Sequence, residues 1–294
     1  MPELPEVETV VRDLRPLLLG RSFVKIAVSR KSLRRKWSRA WEATLLDRCV
    51  HAIRRRGKWI VIELGIPCLV AHLGMTGQLT VASADQPREA HTHVVFTLDD
   101  QTELRFRDVR RFGSVTVFPT MVHADRYFLQ ISLGPEPFDL TDGRWFGSLN
   151  ATRRNLKAIL LDQTIVAGVG NIYADESLFE ARLHPTTLGN AVTRKQAKSL
   201  RLAMVAVLTR AIEKRGSSIR DYIGGSGLKG EMQNEFRVYG RTGEPCRRCR
   251  TTIVRIVLAG RSTHYCPRCQ VLGTIVEPQR LRRARASRSP KATG

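Results

Sequence analysis

The chain begins Met1-Pro2-Glu3-Leu4-Pro5-Glu6-Val7-Glu8, and the interpretation of the other motifs depends on this stretch. With Met1 removed, Pro2 carries a free secondary amine, and because α-amino groups titrate at about 7.7–8.0, part of it is neutral at physiological pH. A neutral amine can attack a sugar C1′ and form a covalent iminium, and the adjacent Glu3 can move a proton. The same residues also suit the first turn of a helix, where proline and acidic groups are favoured. From these eight residues alone both interpretations stay open.

The next residues predict an amphipathic helix over 5–19. Apolar side chains recur there with helical spacing, at Val7, Val10, Val11, Leu14 and Leu18. Gly20 is a typical end for such a helix. A helix in this place would hold the N-terminal amine rigidly, as an active amine requires.

The periodicity changes from helical to alternating between residues 21 and 118. Alternating or continuous apolar stretches predict strands at 24–28, 59–64, 68–73, 94–98, 103–107 and 114–118. Several short strands separated by turn residues are typical of a sandwich or barrel. The polar stretch 83–92 is predicted to be a loop.

Composition indicates a globular protein that binds a polyanion. The chain has 294 residues, 42% hydrophobic, and a formal net charge of +22 with a sequence pI near 10.8. Such a positive field favours nucleic acid. Residues 241–294 carry 13 Lys or Arg against 2 Glu, half of the net charge. No apolar run approaches the roughly 20 residues that span a bilayer, and no signal peptide is evident, so a cytoplasmic protein without a membrane partner is expected.

Two glycine-containing loops are candidates for direct contact with bases. One spans residues 72–77 around Met75, and the other spans residues 108–113 with Arg110 and Phe112. Apolar side chains in such loops usually fill a core. Alternatively, they form an exposed wedge that enters a base stack, as in DNA-kinking proteins, with the arginine filling the space left by an extruded base.

The second half of the chain has a helical pattern. Residues 133–137 are rich in turn formers and predict a hinge, and helices are expected at 155–161, from Asn171 to 181, and at 194–215. A helix, a glycine turn and a second helix suit phosphate binding, because amides at the second helix's N-terminus point outward and Asn171 adds a donor. The glycine-rich residues 216–230 predict either a linker or a mobile lid.

Four of the six cysteines form the pattern C-x2-C-x16-C-x2-C, at Cys246, Cys249, Cys266 and Cys269. This spacing predicts one tetrahedral, structural Zn²⁺. Two strands between the pairs, 252–258 and 262–265, predict a ribbon hairpin with Arg261 near its tip. Cys49 and Cys68 lie in apolar stretches and are expected to be small core residues. The acid-free stretch 279–294 predicts a disordered basic tail that adds affinity for DNA or is inert.

Taken together, the motifs closely resemble the formamidopyrimidine-DNA glycosylase family, bacterial repair enzymes for oxidised purines. The resemblance covers residues 1 to about 273 and rests on ordered matches at Pro2–Thr9, Arg56-Gly57-Lys58, His72–Gly77, His91-Thr92-His93, Arg110–Gly113, Gly168–Tyr173, Val238–Arg241, Gly260-Arg261 and Tyr265–Gln270.

The resemblance implies an α+β multidomain protein with three folded parts. An N-terminal catalytic β-sandwich with flanking helices would span 1–133, and a hinge would span 134–145. A helical helix-two-turns-helix domain would span 146–235 and include a lesion loop at 216–230. A C-terminal zinc ribbon would span 236–273, followed by the basic tail 274–294.

The resemblance also implies a role for each candidate residue. Pro2 would be the nucleophile at C1′ and Glu3 the proton donor, while Lys58 would assist β-elimination and Arg261 δ-elimination. The void left by the flipped base would be filled by Met75, Arg110 and Phe112. Further DNA contacts would come from Asn171, His91, Arg153 and Lys157. The four cysteines would hold zinc with a structural role only.

The activity implied is that of a bifunctional DNA glycosylase and AP lyase of base excision repair. Its partner would be double-stranded DNA containing oxidised bases or abasic sites, bound by a monomer. Two alternatives remain open, the same chemistry on oxidised pyrimidines, as in the endonuclease VIII group, and a non-catalytic damage-binding protein. Arg250 stands where the family often has glycine. Glu231 stands where an aromatic residue is common, in the loop that caps 8-oxoguanine in relatives, so the preference between 8-oxoguanine and ring-opened purines is open.

Overall fold

The computed structural model describes residues 1–217 and 230–272. In this part of the chain the α-helices are α1 Leu4–Leu18, α2 Ala40–Leu45, α3 Met121–Gln130, α4 Asp142–Asn150, α5 Leu156–Leu161, α6 Asn171–Glu180 and α7 Arg194–Glu213. The strands are β1 Phe23–Val28, β2 Ala52–Arg56, β3 Trp59–Glu63, β4 Cys68–His72, β5 Gly77–Ser83, β6 Thr92–Leu98, β7 Thr102–Asp108, β8 Ser114–Phe118, β9 Val254–Leu258 and β10 Arg261–Tyr265. Most of the predicted loop 216–230 and the predicted tail 274–294 lie outside the described residues.

The N-terminal part is a β-sandwich, as predicted. Two four-stranded antiparallel sheets have the strand orders β1-β6-β7-β5 and β2-β3-β4-β8. Apolar side chains from both sheets and from α1 form one buried cluster. A smaller cluster lies between the second sheet and α3. The second sheet is therefore buried on both faces, by the shared core on one side and by α3 on the other, which is why β3 and β4 are continuously apolar in the sequence.

Strand β2 was not predicted, because its sequence is polar. Three consecutive arginines, Arg54, Arg55 and Arg56, form the end of this strand, and each of them pairs with a carboxylate. Their charges are therefore compensated by tertiary contacts that no periodicity reveals. Strand β5 was also missed, since its polar end merges with the loop expected at 83–92.

Helix α1 connects the sandwich to the helical part. Its buried face packs mainly into the sandwich core, as the spacing of its apolar residues predicts. Leu4 instead belongs to the core of the helical part, and its amide donates to the Gly168 carbonyl at 3.0 Å. A Cβ at Gly168 would lie 2.6 Å from Leu4 Cδ1, so only glycine allows this approach. The N-terminus is thereby fixed at the junction of the two parts.

The segment predicted as a hinge is anchored at both ends. Glu136 accepts hydrogen bonds from Arg55 Nη1 at 2.5 Å, Arg56 Nη1 at 3.1 Å and the Gly57 amide at 2.6 Å, all on the sandwich. At the other end, α4 begins at Asp142, and Trp145 is fully buried in the helical core. Residues 142–145, the end of the segment predicted as a hinge, form the first turn of α4.

The C-terminal part is the predicted ribbon. Strands β9 and β10 pair antiparallel, with Leu258 opposite Arg261. Ile253, Val238 and two of the cysteines share a buried cluster with Phe179 of α6. None of the helices within residues 1–217 and 230–272 is both long enough and apolar enough to traverse a lipid bilayer.

Candidate active site

The sandwich, the helical part and the ribbon surround one cavity of about 950 Å³. Seven of the residues predicted from the sequence line it: Pro2, Glu3, Lys58, Met75, Arg110, Asn171 and Arg261. These residues come from distant parts of the chain, so the fold brings together groups that the sequence keeps apart. A large cleft with converging polar groups is the usual form of a binding or catalytic site.

The Glu3 carboxylate lies against the N-terminus of α6. Its Oε1 accepts from the Ile172 amide at 2.9 Å and its Oε2 from the Tyr173 amide at 3.3 Å. Gly170 makes this position possible, because a Cβ there would lie 2.3 Å from Glu3 Cδ. Free amides at a helix N-terminus are suited to a carboxylate. The turn before α6 thus fixes the carboxylate immediately after Pro2.

A second buried carboxylate, Glu6, supports the same turn. It accepts from the Glu3 amide at 2.8 Å, from the Tyr173 hydroxyl at 2.6 Å and from the Ser217 amide at 2.8 Å. Burial raises the pKa of Glu6, and the nearby Glu3 charge raises it further. Glu6 therefore joins the N-terminus, α6 and Ser217, near the start of the glycine-rich segment.

The Lys58 ammonium lies in the same cavity, 6% exposed as a residue. Its Nζ donates to the Val169 carbonyl at 3.0 Å, in the turn before α6. Burial lowers the pKa of Lys58, while the charges of Glu3 and Glu6 act in the opposite direction. An amine with a lowered pKa is more readily neutral, which suits a group that takes up a proton.

The two glycine loops are bonded to each other through Asp108, which is fully buried. Its carboxylate accepts from Thr76 Oγ1 at 2.6 Å in the first loop, and from the amides of Arg110 at 3.2 Å and Gly113 at 2.7 Å in the second. Phe112 is 46% exposed and so does not fill the core. The Arg110 guanidinium lies over its ring at 4.6 Å.

The four cysteines fit a tetrahedral metal. Their sulfurs lie within 4.8 Å of one another, with Cys246 and Cys269 at 4.0 Å and Cys249 and Cys266 at 3.4 Å. Zn–S bonds of about 2.3 Å in a tetrahedron require sulfurs roughly 3.8 Å apart. Backbone amides also donate to the sulfurs of Cys246 and Cys266, as suits thiolates. These residues hold one structural zinc ion.

Sequence profiles of three families match the chain in order. They are the formamidopyrimidine-DNA glycosylase N-terminal domain over residues 1–115, the H2TH domain of that enzyme over 133–222, and the zinc finger found in FPG and IleRS over 243–271. The formamidopyrimidine-DNA glycosylase of Geobacillus kaustophilus is 44% identical over 92% of this chain and 100% of its own length.

The chain belongs to the formamidopyrimidine-DNA glycosylase family. Solved structures agree with this assignment. A variant of the Lactococcus lactis FPG in complex with DNA containing Fapy-dG is similar with a TM-score of 0.87 and 37% identity, over 92% of this chain and 100% of that one. A MutM complex with DNA containing carbocyclic 8-oxo-G is similar with a TM-score of 0.85 and 37% identity, over the same fractions.

Lys157, predicted to contact DNA, is completely buried in this member of the family. Its Nζ donates to Asp175 Oδ1 at 2.5 Å and to the Asn171 carbonyl at 2.9 Å. Asp175 also accepts from the amide of His264 at 2.9 Å and lies 3.0 Å from its Nδ1. Burial lowers the pKa of Lys157, and the Asp175 charge opposes that effect. In this position the ammonium supports the turn that carries Asn171.

Three other predicted DNA contacts lie outside the lining of this cavity. Phe112 is one of them, on its exposed loop. His91 and Arg153 are exposed as well, and His91 has a φ of +68° in the loop before β6. Arg154, the neighbour of Arg153, does line the cavity and pairs with Asp162 at 2.6 Å.

Several supporting residues were missed by sequence reasoning. Glu6 and Asp108 lie within recognised motifs, but nothing in the motifs distinguishes their buried carboxylates from surface ones. Glu176 is similar, accepting from the amides of three consecutive residues, 237–239, at the entrance to the ribbon. Such residues become evident only from their hydrogen-bond partners, which lie far away in sequence.

His72 was also missed, although it lies at the end of β4 close to Lys58. The Gly74 amide donates to its Nδ1 at 3.0 Å, so its neutral form carries the hydrogen on Nε2. Burial lowers the pKa of His72 to about 4, and the charges of Lys58 and Arg34 lower it as well. The ring is therefore a neutral hydrogen-bond donor at physiological pH.

Proposed function

We propose that this protein is a bifunctional DNA glycosylase and AP lyase of base excision repair that excises oxidised purines from double-stranded DNA. The observation that carries the proposal is the position of Pro2 and Glu3. They lie in a cleft of about 950 Å³ with Lys58 and Arg261, and the Glu3 carboxylate is held on the amides of α6. Family membership supports the same activity.

The first step requires removal of Met1, since Pro2 nitrogen is otherwise an amide. The neutral Pro2 amine then attacks C1′ of the damaged nucleotide, a bond forms between nitrogen and C1′, and the base leaves with the electrons of the glycosidic bond. The Glu3 carboxylate takes the proton that the Pro2 nitrogen gives up and passes it to the sugar ring oxygen as the C1′–O4′ bond opens, which yields the iminium. The pair of α6 amides orients the carboxylate for this transfer.

Strand cleavage follows from the same intermediate. The iminium acidifies the C2′ proton, and its removal expels the 3′ phosphate in a β-elimination. A second elimination expels the 5′ phosphate, and water then releases the sugar fragment from Pro2. Lys58 is proposed to assist the first elimination, since its side-chain nitrogen lies in the cavity with Glu3 and burial lowers its pKa. Arg261 is proposed to hold the departing phosphate in the second.

Access to the base requires the damaged nucleotide to leave the stack, which costs a few kcal/mol. Met75, Arg110 and Phe112 are proposed to fill the vacated space, because two of them line the cavity and Phe112 is exposed on the adjacent loop. Asn171 is proposed to bind a phosphate flanking the lesion. Its Nδ2 donates to the Ser262 carbonyl at 2.9 Å, so helix α6 and the ribbon would grip the strand as one unit.

The proposal includes the domain bounds predicted from the sequence. It also includes a monomeric protein that acts in the cytoplasm. One chain supplies every residue proposed for the cleft, which supports a monomer. The ribbon would contribute through zinc-dependent folding, since it carries Arg261 into the cleft.

Borohydride trapping tests the proposal. The protein, with Met1 removal verified by mass spectrometry, is mixed with duplexes containing 8-oxoguanine, thymine glycol or an abasic site. A covalent adduct is expected, strongly reduced in Pro2→Gly and retained in Pro5→Ala, a matched proline change in the first turn of α1. Absence of an adduct, or an undiminished one in Pro2→Gly, contradicts the mechanism. Faster excision of thymine glycol would favour oxidised pyrimidines, and binding without nicking would favour a non-catalytic damage-binding protein.

A further inference from the structure

A strongly basic surface segment lies beside the cleft and has no part in the chemistry above. Residues 29–39, Ser-Arg-Lys-Ser-Leu-Arg-Arg-Lys-Trp-Ser-Arg, contain six Arg or Lys and no acid. We call this segment the basic strip. Five of its cations are exposed: Arg30, Lys31, Arg34, Lys36 and Arg39.

The charges of the basic strip are uncompensated within the described residues. None of its five exposed cations forms an ion pair there, whereas each of the three arginines of β2 does. A carboxylate close to the strip, Glu42, accepts from Trp37 Nε1 at 3.1 Å. Concentrated positive charge without local counter-charges destabilises the protein alone by self-repulsion and favours an external polyanion.

The basic strip is nevertheless well fixed to the protein. Leu33 and Trp37 pack against the sandwich core, and the Ser29 amide donates to the His93 carbonyl at 2.8 Å. The Arg35 guanidinium lies over the Tyr127 ring at 4.4 Å. Because the backbone is already ordered, a ligand would not have to supply the free energy of ordering it.

Two contacts place the basic strip directly beside the loop of Phe112. The Arg34 amide donates to the Gly113 carbonyl at 3.1 Å, and Arg111 Nη1 donates to the Ser32 carbonyl at 3.4 Å. The Arg34 charge also lowers the pKa of His72, as the charge of Lys58 in the cleft does, so Arg34 and Lys58 act on the same side chain. Positive charge therefore continues from the cleft along the strip.

We propose that the basic strip binds backbone phosphates of the duplex arm that leaves the cleft beside Phe112, and so extends the DNA footprint beyond the lesion. The proposal rests on the proposed function only for the position of the lesion in the cleft. Phosphate contacts position a duplex without reading its bases, so the strip strengthens binding of damaged and undamaged DNA alike.

The test compares two triple variants with the unchanged protein. The strip variant is Lys31→Gln/Lys36→Gln/Arg39→Gln. The matched control is Arg144→Gln/Arg182→Gln/Lys195→Gln, which removes the same charge from exposed cations of the helical part. Binding is measured on lesion and undamaged duplexes as a function of salt. Removing one phosphate-binding cation lowers the slope of log affinity against log salt by roughly 0.9, and lowers affinity near 0.1 M salt by up to about tenfold.

Neutral methylphosphonate linkages, introduced one at a time on both strands, then locate the phosphates that the strip binds. We expect a short run of linkages on one strand to weaken the unchanged protein and the control but not the strip variant. A strip variant with an unchanged salt slope overturns the proposal. An equal decrease in affinity for the strip and control variants also overturns it, because that result indicates a general electrostatic field. The same holds if every methylphosphonate linkage weakens the strip variant as much as it weakens the unchanged protein. Borohydride trapping at saturating protein should be the same for all three, so failure of trapping bears on the proposed function and not on the strip.

Discussion

Replacement of Gly170 by alanine should displace the Glu3 carboxylate while leaving the fold intact. The added Cβ would lie 2.3 Å from Glu3 Cδ and 2.6 Å from its Oε1, so the carboxylate must leave the α6 amides. The backbone at residue 170 has φ −129° and ψ −157°, an extended conformation that alanine adopts readily. The substitution therefore acts by contact and not by backbone strain.

The size of the effect follows from that contact. To reach an ordinary carbon–carbon separation, the carboxylate must shift by roughly 1 Å, and a misplacement of this size can slow a reaction about 100-fold. That factor equals about 2.7 kcal/mol in the activation free energy. Removal of two amide hydrogen bonds from a charged acceptor should also lower the free energy of unfolding, by about 2–4 kcal/mol.

The assay is single-turnover excision of 8-oxoguanine at saturating protein, compared with nicking of an abasic duplex. An abasic sugar opens to its aldehyde without help, so Glu3 matters less for it. We expect base excision to fall about 100-fold and abasic nicking much less. Gly147→Ala, a change in α4 with open space around the new Cβ, serves as the control and should retain both rates. A folded Gly170→Ala protein with unchanged excision would refute the role assigned to the carboxylate's position.

Four further changes probe the rest of the site. Asp108→Asn should lower the free energy of unfolding by about 1–3 kcal/mol, since it weakens the hydrogen bonds that join the two glycine loops. It should also weaken lesion binding, and equal binding by the variant would argue against a role of these bonds in binding. Lys157→Met should cost about 3–5 kcal/mol because it leaves Asp175 buried without its cation, and adding Asp175→Asn should recover part of this in urea unfolding. The pKa of His72 is about 4 in the folded protein and about 6.5 in the unfolded chain. Between these pH values the unfolded chain binds the extra proton, so the free energy of unfolding falls by roughly 3 kcal/mol as the pH drops from about 6.5 to about 4. His72→Gln should flatten that slope in urea titrations at pH 7 and 4.5. Zinc chelation should abolish DNA binding while circular dichroism still reports the sandwich, and a chelated protein that binds normally would contradict the ribbon's role.

Local patterns in the sequence were sufficient to predict most of the helices and strands of the fold. Helix α1, most strands of the sandwich and the ribbon follow from spacings of four residues or from period two, because these distances correspond to one turn or one pleat. The zinc site follows from the cysteine spacing alone, since two C-x2-C pairs supply the four sulfurs of one tetrahedral site. The polar strand β2 was missed because its arginines are compensated only by tertiary partners.

The motifs of the sequence were also sufficient to identify the family, and seven of the eleven candidate site residues line the cleft. Pro2, Glu3, Lys58 and Arg261 line one cavity, as expected of a shared site. Four candidates, His91, Phe112, Arg153 and Lys157, lie outside the lining of that cavity, and their positions could not be inferred from the sequence. Lys157 is a charged residue in a short helix, and its complete burial depends on Asp175, 18 residues away.

Only the tertiary structure decided how the N-terminal stretch is held. The Glu3 carboxylate accepts a hydrogen bond from the amide of Ile172, 169 residues later, and Glu6 accepts one from the amide of Ser217. No spacing in the sequence encodes such contacts, because they depend on how the sandwich and the helical part pack together. The residues at 1–8 determined which chemistry is available. The packing of α1 against the turn before α6 decided where the amine and the carboxylate stand in relation to the cleft.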